Sequence, residues 1–199
     1  MSLHSVWRFI TDFGDTAVTV PLAVLMTAFL LAAKAWRLAV GWAVAITICA
    51  GVIGGLKIVL GTCFHAIAGM GLSSPSGHTA MSTVVYGSLA LLVRGRFPAR
   101  LRYPIYLGTT LAVVAIAASR VVLHEHNLPE IVIGFAVGAA AVALFASLSG
   151  RHEPPNLPLR WLAVCGLVLV AALHGTRWQI EPVLHRLAEW FRVHLTVCR

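Results

Sequence analysis

The sequence predicts an all-α fold, a polytopic membrane bundle of about six transmembrane helices with amphipathic terminal segments, built as one domain over residues 1–199. Three observations predict it. Of 199 residues, 59% are hydrophobic and 11% are charged, which is more apolar surface than a soluble core of this size requires. Charges interrupt the apolar runs at regular intervals. Lysine and arginine are also shared unevenly between alternate connections, as they are in inserted membrane proteins.

The elements follow in chain order. The opening segment LHSVWRFITDF places Leu3, Val6, Trp7 and Ile10 at helical spacing, the pattern of an amphipathic helix lying in the interface. Its Arg8 is set against Asp12 and Asp15, so it lacks the positive start of a signal peptide. Six runs without Asp, Glu, Lys or Arg then follow: Ala17 to Ala33, Leu38 to Leu56, His78 to Val93, Tyr103 to Ser119, Ile131 to Gly150 and Trp161 to Thr176. A spanning helix needs about 20 mostly apolar residues, and the sixth run is at the short end of that range. The tail EPVLHRLAEWFRVHL repeats the amphipathic pattern with Val183, Leu184, Leu187, Trp190 and Phe191.

With six spans, the connections fall on two sides. One side carries eight basic residues, Lys34, Arg37, Arg94, Arg96, Arg100, Arg102, Arg151 and Arg160, against Glu153. The other carries both termini and is nearly balanced, with seven basic residues against six acidic ones. The positive-inside rule puts the first side in the cytoplasm. The basic stretch RGRFPARLR is then a topology signal, and a nucleic-acid partner is not expected. The expected location is the plasma (inner) membrane, with the polar groups of the second side facing the periplasm or the exterior.

Those polar groups form two loops and a lysine. In Pro75-Ser76-Gly77-His78, Ser76 can cap the helix that follows, and the N–H groups of a helix start form an anion site. His78 beside it can act near neutral pH, or can be incidental to a capped helix. In SRVVLHEHNLPEIVIG, Arg120 can complement a helix C-terminus, and Asn127 with Glu130 can form a capping box. The same short loop holds His124 and His126. Lys57, late in the second span, reads either as a snorkelling lysine or as a third member of this cluster.

Together these residues resemble the type 2 phosphatidic acid phosphatase superfamily, which includes membrane lipid phosphatases. Pro75-Ser76-Gly77-His78 matches one family motif fully. Ser119-Arg120, His126 and position 130 match another, with Glu130 in place of the usual Asp. The remaining motif keeps Lys57 but has Phe64-His65 where Arg-Pro is usual. The resemblance implies His126 as nucleophile, Glu130 as its partner and His78 as general acid. It assigns Lys57, Ser76, Gly77 and Arg120 to the phosphate, with His65 and His124 as possible auxiliaries for the absent arginine. It implies no metal and no cofactor. The implied activity is hydrolysis of a lipid phosphate, such as a polyprenyl diphosphate or phosphatidylglycerol phosphate, at the outer membrane face through a phosphohistidine. Two alternatives share the site: a lipid phosphotransferase and a non-catalytic binder or transporter of anionic lipids.

Two lesser expectations complete the reading. Cys49 and Cys165 fall inside spans, while Cys63 and Cys198 fall on the outward side, where a disulfide is chemically possible. Gly134 with Gly138, and Gly51 with Gly55, have the small-residue spacing of close helix contacts.

Overall fold

The computed structural model describes residues 2–62, 73–94, 97–150, 158–178 and 180–194. Among them are eight helices: α1 Leu3–Asp12, α2 Thr16–Ala32, α3 Trp36–Thr62, α4 Gly77–Arg94, α5 Ala99–Val122, α6 Leu128–Ser149, α7 Leu159–Leu173 and α8 Glu181–His194. The described residues contain no strand.

Four stretches are long and apolar enough to cross a membrane: Leu3–Ala32, Trp36–Thr62, Ala99–Val122 and Leu128–Ser149. The expected third and sixth spans are present as shorter apolar helices, Gly77–Val93 and Leu159–Leu173. Of the six expected spans, four correspond to stretches that satisfy the length requirement and two to helices that fall short of it. At about 1.5 Å per residue, a helix the length of α7 covers only about 22 Å of a core about 30 Å thick. Apolar side chains such as Val44, Ile48, Leu111, Phe135 and Leu167 stay exposed on the bundle. An outward apolar belt of this kind belongs against lipid rather than water.

The central helix is α4, which packs on α2, α3, α5 and α6. Its neighbours bury a core of Met26, Leu30, Trp42, Val84, Val85 and Phe145. Trp42 crosses Phe145 edge to face at 5.9 Å, and its indole N–H donates to the Ala23 carbonyl at 3.0 Å. Thr79, Ser82, Thr83 and Ser88 are also buried along α4. Small hydroxyl residues of this type let helices approach closely where no hydrophobic force distinguishes protein from lipid.

The two glycine pairs part company. A Cβ on Gly134 would stand 2.5 Å from the Ser76 carbonyl oxygen, and one on Gly138 would stand 2.6 Å from Thr83 Cβ. These glycines bring α6 against the start of α4. Among the described residues, nothing lies within 4 Å of a Cβ built on Gly51 or Gly55, so the second pair makes no such contact with them. The spacing marks a face that can receive a neighbour, and at α3 none of the described residues arrives there. Gly134→Ala is expected to destabilise the protein by about 1–3 kcal/mol through overpacking, read as a lowered thermal midpoint in detergent. Gly51→Ala is expected to leave that midpoint unchanged.

The terminal helices form where the amphipathic spacing predicts them. α1 packs on α5, and α8 packs on α3. α1 leaves Leu3, Val6 and Phe9 exposed, and α8 leaves Val183, Leu187 and Trp190 exposed. Their polar ends meet the α1–α2 turn, the late part of α3, the start of α4 and the α5–α6 loop at one end of the bundle. Cys49 is buried and Cys165 half-buried, both as free thiols. Cys63, His65 and Cys198 lie outside the described residues.

Candidate active site

The best-defined part of the site is the start of α6. Asn127 caps it: its side-chain oxygen accepts from the Glu130 N–H at 3.0 Å, and the Asn127 N–H donates to Glu130 Oε2 at 3.2 Å. This capping box comes directly from Asn and Glu at the required spacing. The same carboxylate serves two further groups. Oε2 lies 2.9 Å from His126 Nδ1. Oε1 accepts from the Ser73 and Ser74 N–H groups, each at 2.9 Å, and from the Ser73 hydroxyl at 2.5 Å. Glu130 is buried, 2% exposed, and these donors replace the water it has lost. The extra methylene of Glu over Asp is taken up without loss of the histidine contact.

His126 sits in the α5–α6 loop. The N–H groups of Glu125 and His126 both donate to the Arg120 carbonyl, at 3.0 and 3.1 Å, wrapping the loop around the end of α5. His124 makes that turn possible by adopting φ 57°, an unusual conformation for a non-glycine residue. With Nδ1 facing Glu130, a proton on Nδ1 leaves the Nε2 lone pair free. Burial pushes the His126 pKa down, the Glu130 hydrogen bond pulls it up, and the positive charges of Lys57 and Arg120 push it down. The net result lies below the ordinary histidine value, which favours the neutral ring.

Two cations stand nearby, and both are buried. Lys57 Nζ donates to Ser74 Oγ at 3.0 Å and pairs with Glu181 at the first turn of α8. It points inward and does not snorkel. Burial pushes the Glu181 carboxyl up, but the Lys57 hydrogen bond and charge outweigh this and hold it below its ordinary value. Arg120, in the last turn of α5, donates to Thr11 Oγ1 at 3.1 Å and lies 3.8 Å from Glu125. Its buried Nε has no protein partner among the described residues, a donor of the kind an incoming anion can use.

The Ser76 hydroxyl accepts from the Thr79 N–H at 3.4 Å and meets Thr79 Oγ1 at 3.0 Å, so it caps α4 as its position predicts. The Ser76 N–H donates to the Glu130 carbonyl at 3.0 Å. Its main chain therefore ties α4 to α6, and its side chain is fully buried. Gly77 follows, next to Lys57: a Cβ there would lie 3.8 Å from Lys57 Cε. His78 Nε2 lies 3.4 Å from Asp15 Oδ2 in the α1–α2 turn.

The structure thus brings Lys57, Ser76, Gly77, Arg120, His126 and Glu130 to one end of the bundle, with His78 near enough for the charges of Arg120 and His126 to act on it. It leaves His124 exposed, with no hydrogen bond or ion pair to this group. Sequence reasoning missed Thr11, Asp15, Ser73, Ser74 and Glu181. Ser73 and Ser74 adjoin the Pro-Ser-Gly-His motif and could have been suspected as an oxygen-rich approach to it. Thr11, Asp15 and Glu181 come from distant parts of the chain, and nothing local marks them.

An all-helical membrane protein with histidine–carboxylate pairs and buried cations at one end is the class that fold and site define. Residues 59–154 match the PAP2 superfamily, whose members are in general phosphatases and related hydrolases. Over 187 residues it is 29% identical to an uncharacterized 22.5 kDa protein in cps region from Klebsiella pneumoniae, covering 92% of this chain and 90% of the relative. No solved structure matches the chain.

Proposed function

We propose that this protein is a lipid phosphate phosphatase acting through a phosphohistidine. The observation that carries the reading is His126, held through Nδ1 by Glu130 at 2.9 Å and flanked by Lys57 and Arg120. In the first step Nε2 of His126 forms a bond to phosphorus as the P–O bond to the lipid breaks. The electron pair of that bond goes to the leaving oxygen, which takes a proton from His78. In the second step water attacks phosphorus, the P–N electrons return to His126, and His78 accepts the proton released by the water. Lys57, Arg120 and the N–H of Gly77 stabilise the charge on the phosphoryl oxygens. The bulk of the chain keeps the lipid tail in the bilayer while the head group reaches the site. On the distribution of Lys and Arg, that site faces away from the cytoplasm. The substrate class is a lipid phosphomonoester or diphosphate, with polyprenyl diphosphate and phosphatidylglycerol phosphate as the first examples to try.

The test is phosphate release from a panel of lipid phosphates in detergent with EDTA present, followed across pH. Release is expected from at least one of them. Because His126 must be unprotonated to attack, activity is lost as pH falls through its lowered pKa. The acid limb should therefore lie below the ordinary histidine value of 6.5. Absence of release from every lipid, with the protein folded and monodisperse, would overturn the reading.

A further inference from the structure

We propose that Asp15 is a positioning residue for His78, orienting its ring and favouring the protonated form that gives a proton to the leaving oxygen. This rests on the phosphatase reading above. Asp15 lies in the α1–α2 turn, far from the residues that resemble the family motifs, and reaches the site only through the fold.

The two oxygens of Asp15 divide their contacts. Oδ1 accepts from the Ala17 N–H at 2.8 Å, capping α2, and from the Trp178 N–H at 3.4 Å. Oδ2 faces His78 Nε2 at 3.4 Å. A helix cap needs one acceptor and no charge; Asn or Ser would serve as well. The second oxygen and the negative charge are therefore surplus to the cap.

Burial supplies the second strand of the argument. Asp15 is 5% exposed, and a buried carboxylate is costly unless a positive group offsets it. Among the described residues its ion-pair partner is His78, with Arg120 interacting at longer range. The direct pair is balanced only when His78 carries its second proton. The other groups facing His78 are Arg120 and His126, and a positive charge on either opposes that proton. Burial, with the charges of Arg120 and His126, holds the His78 pKa below its ordinary value, and Asp15 is the group that opposes them, whichever ring nitrogen gives up the proton.

Packing fixes the turn in place. A Cβ on Gly14 would stand 2.6 Å from Ile116 Cγ2 and 3.5 Å from His78 Cβ, so the turn is pressed between α5 and the histidine. The two histidines each pair with one carboxylate, and the two carboxylates are loaded differently. Glu130 is already occupied by Ser73, Ser74 and Asn127, and its histidine faces Lys57 and Arg120. Asp15 offers one oxygen to its histidine alone. The free oxygen on Asp15 is what makes it available to orient His78, while Glu130 is shared among several donors.

Asp15→Asn and Asp15→Ser both retain a cap for α2, so the charge can be removed while the turn is kept. The expected result is a fall in kcat of about 10-fold or more for a lipid phosphomonoester, with KM nearly unchanged. With p-nitrophenyl phosphate, whose leaving oxygen departs without needing a proton, the loss should be far smaller. Asp15→Glu should recover part of the lipid activity. Equal losses on the two substrates in both variants, or no loss on either, would overturn the proposal while leaving the phosphatase reading intact. A wild-type protein that releases no phosphate from any lipid overturns both.

Discussion

His126→Ala is expected to lower phosphate release by about 10⁴-fold or more, the scale on which loss of a nucleophile acts in enzymes with covalent intermediates. The fold should survive. His126 lies in a loop, and the capping box of Asn127 and Glu130 does not depend on its ring. Glu130 also keeps its donors from Ser73 and Ser74. Phosphate release and a thermal midpoint, measured on the same preparation, separate the two effects. Rapid quenching into alkali should trap a phosphohistidine on the wild type and none on the variant. Turnover within 10-fold of wild type would remove His126 from the nucleophile's role. Glu130→Gln should follow the same course less steeply in rate but more steeply in stability. The amide keeps an acceptor for part of the network, yet puts an N–H where donors already point, leaving buried polar groups opposed.

How legible this site was depends on how far apart its members lie along the chain. His126 and Glu130 are four residues apart, so one loop and one helix turn bring them together, and Asn127 supplies the cap that fixes the turn. Ser76 was readable for the same reason, because a cap is a local device. The Lys57 contact to Glu181 spans 124 residues, and the Asp15 contact to His78 links the first turn of the chain to its central helix. No periodicity encodes such pairs. They arise because α1 lies along α5 and α8 lies along α3, a matter of helix packing that composition does not specify. The spans show the same division. Apolar runs announced α2 to α7, but the length each one realises depends on where its ends are capped. The glycine pairs make the point most sharply, since Gly134 with Gly138 and Gly51 with Gly55 have the same spacing and, among the described residues, only the first meets a neighbour.

Lys57→Ala is expected to reduce kcat/KM by about 10²- to 10³-fold, the cost of removing one well-placed charge-stabilising group from a phosphoryl-transfer site. The structure adds a consequence that the lysine alone would not suggest. Glu181 holds the Lys57 ammonium, and its carboxyl lies below its ordinary value, so the pair is intact at neutral pH and opens as pH falls through that lowered value. A phosphate that binds Lys57 must compete with a carboxylate already there. The Glu181 side chain is 54% exposed, so water can receive it when it is displaced, and the competition is modest. Glu181→Gln should therefore tighten inhibition by inorganic phosphate about two- to fivefold, the worth of a partly exposed ion pair, with kcat largely retained. In a Lys57→Ala background the same change should have no effect on phosphate affinity. That non-additivity distinguishes competition for one ammonium from a general change in site charge, which would act in both backgrounds. Should Glu181→Gln weaken phosphate binding instead, the carboxylate would be orienting Lys57 toward the phosphate rather than competing for it, and α8 would belong to the binding site as a support.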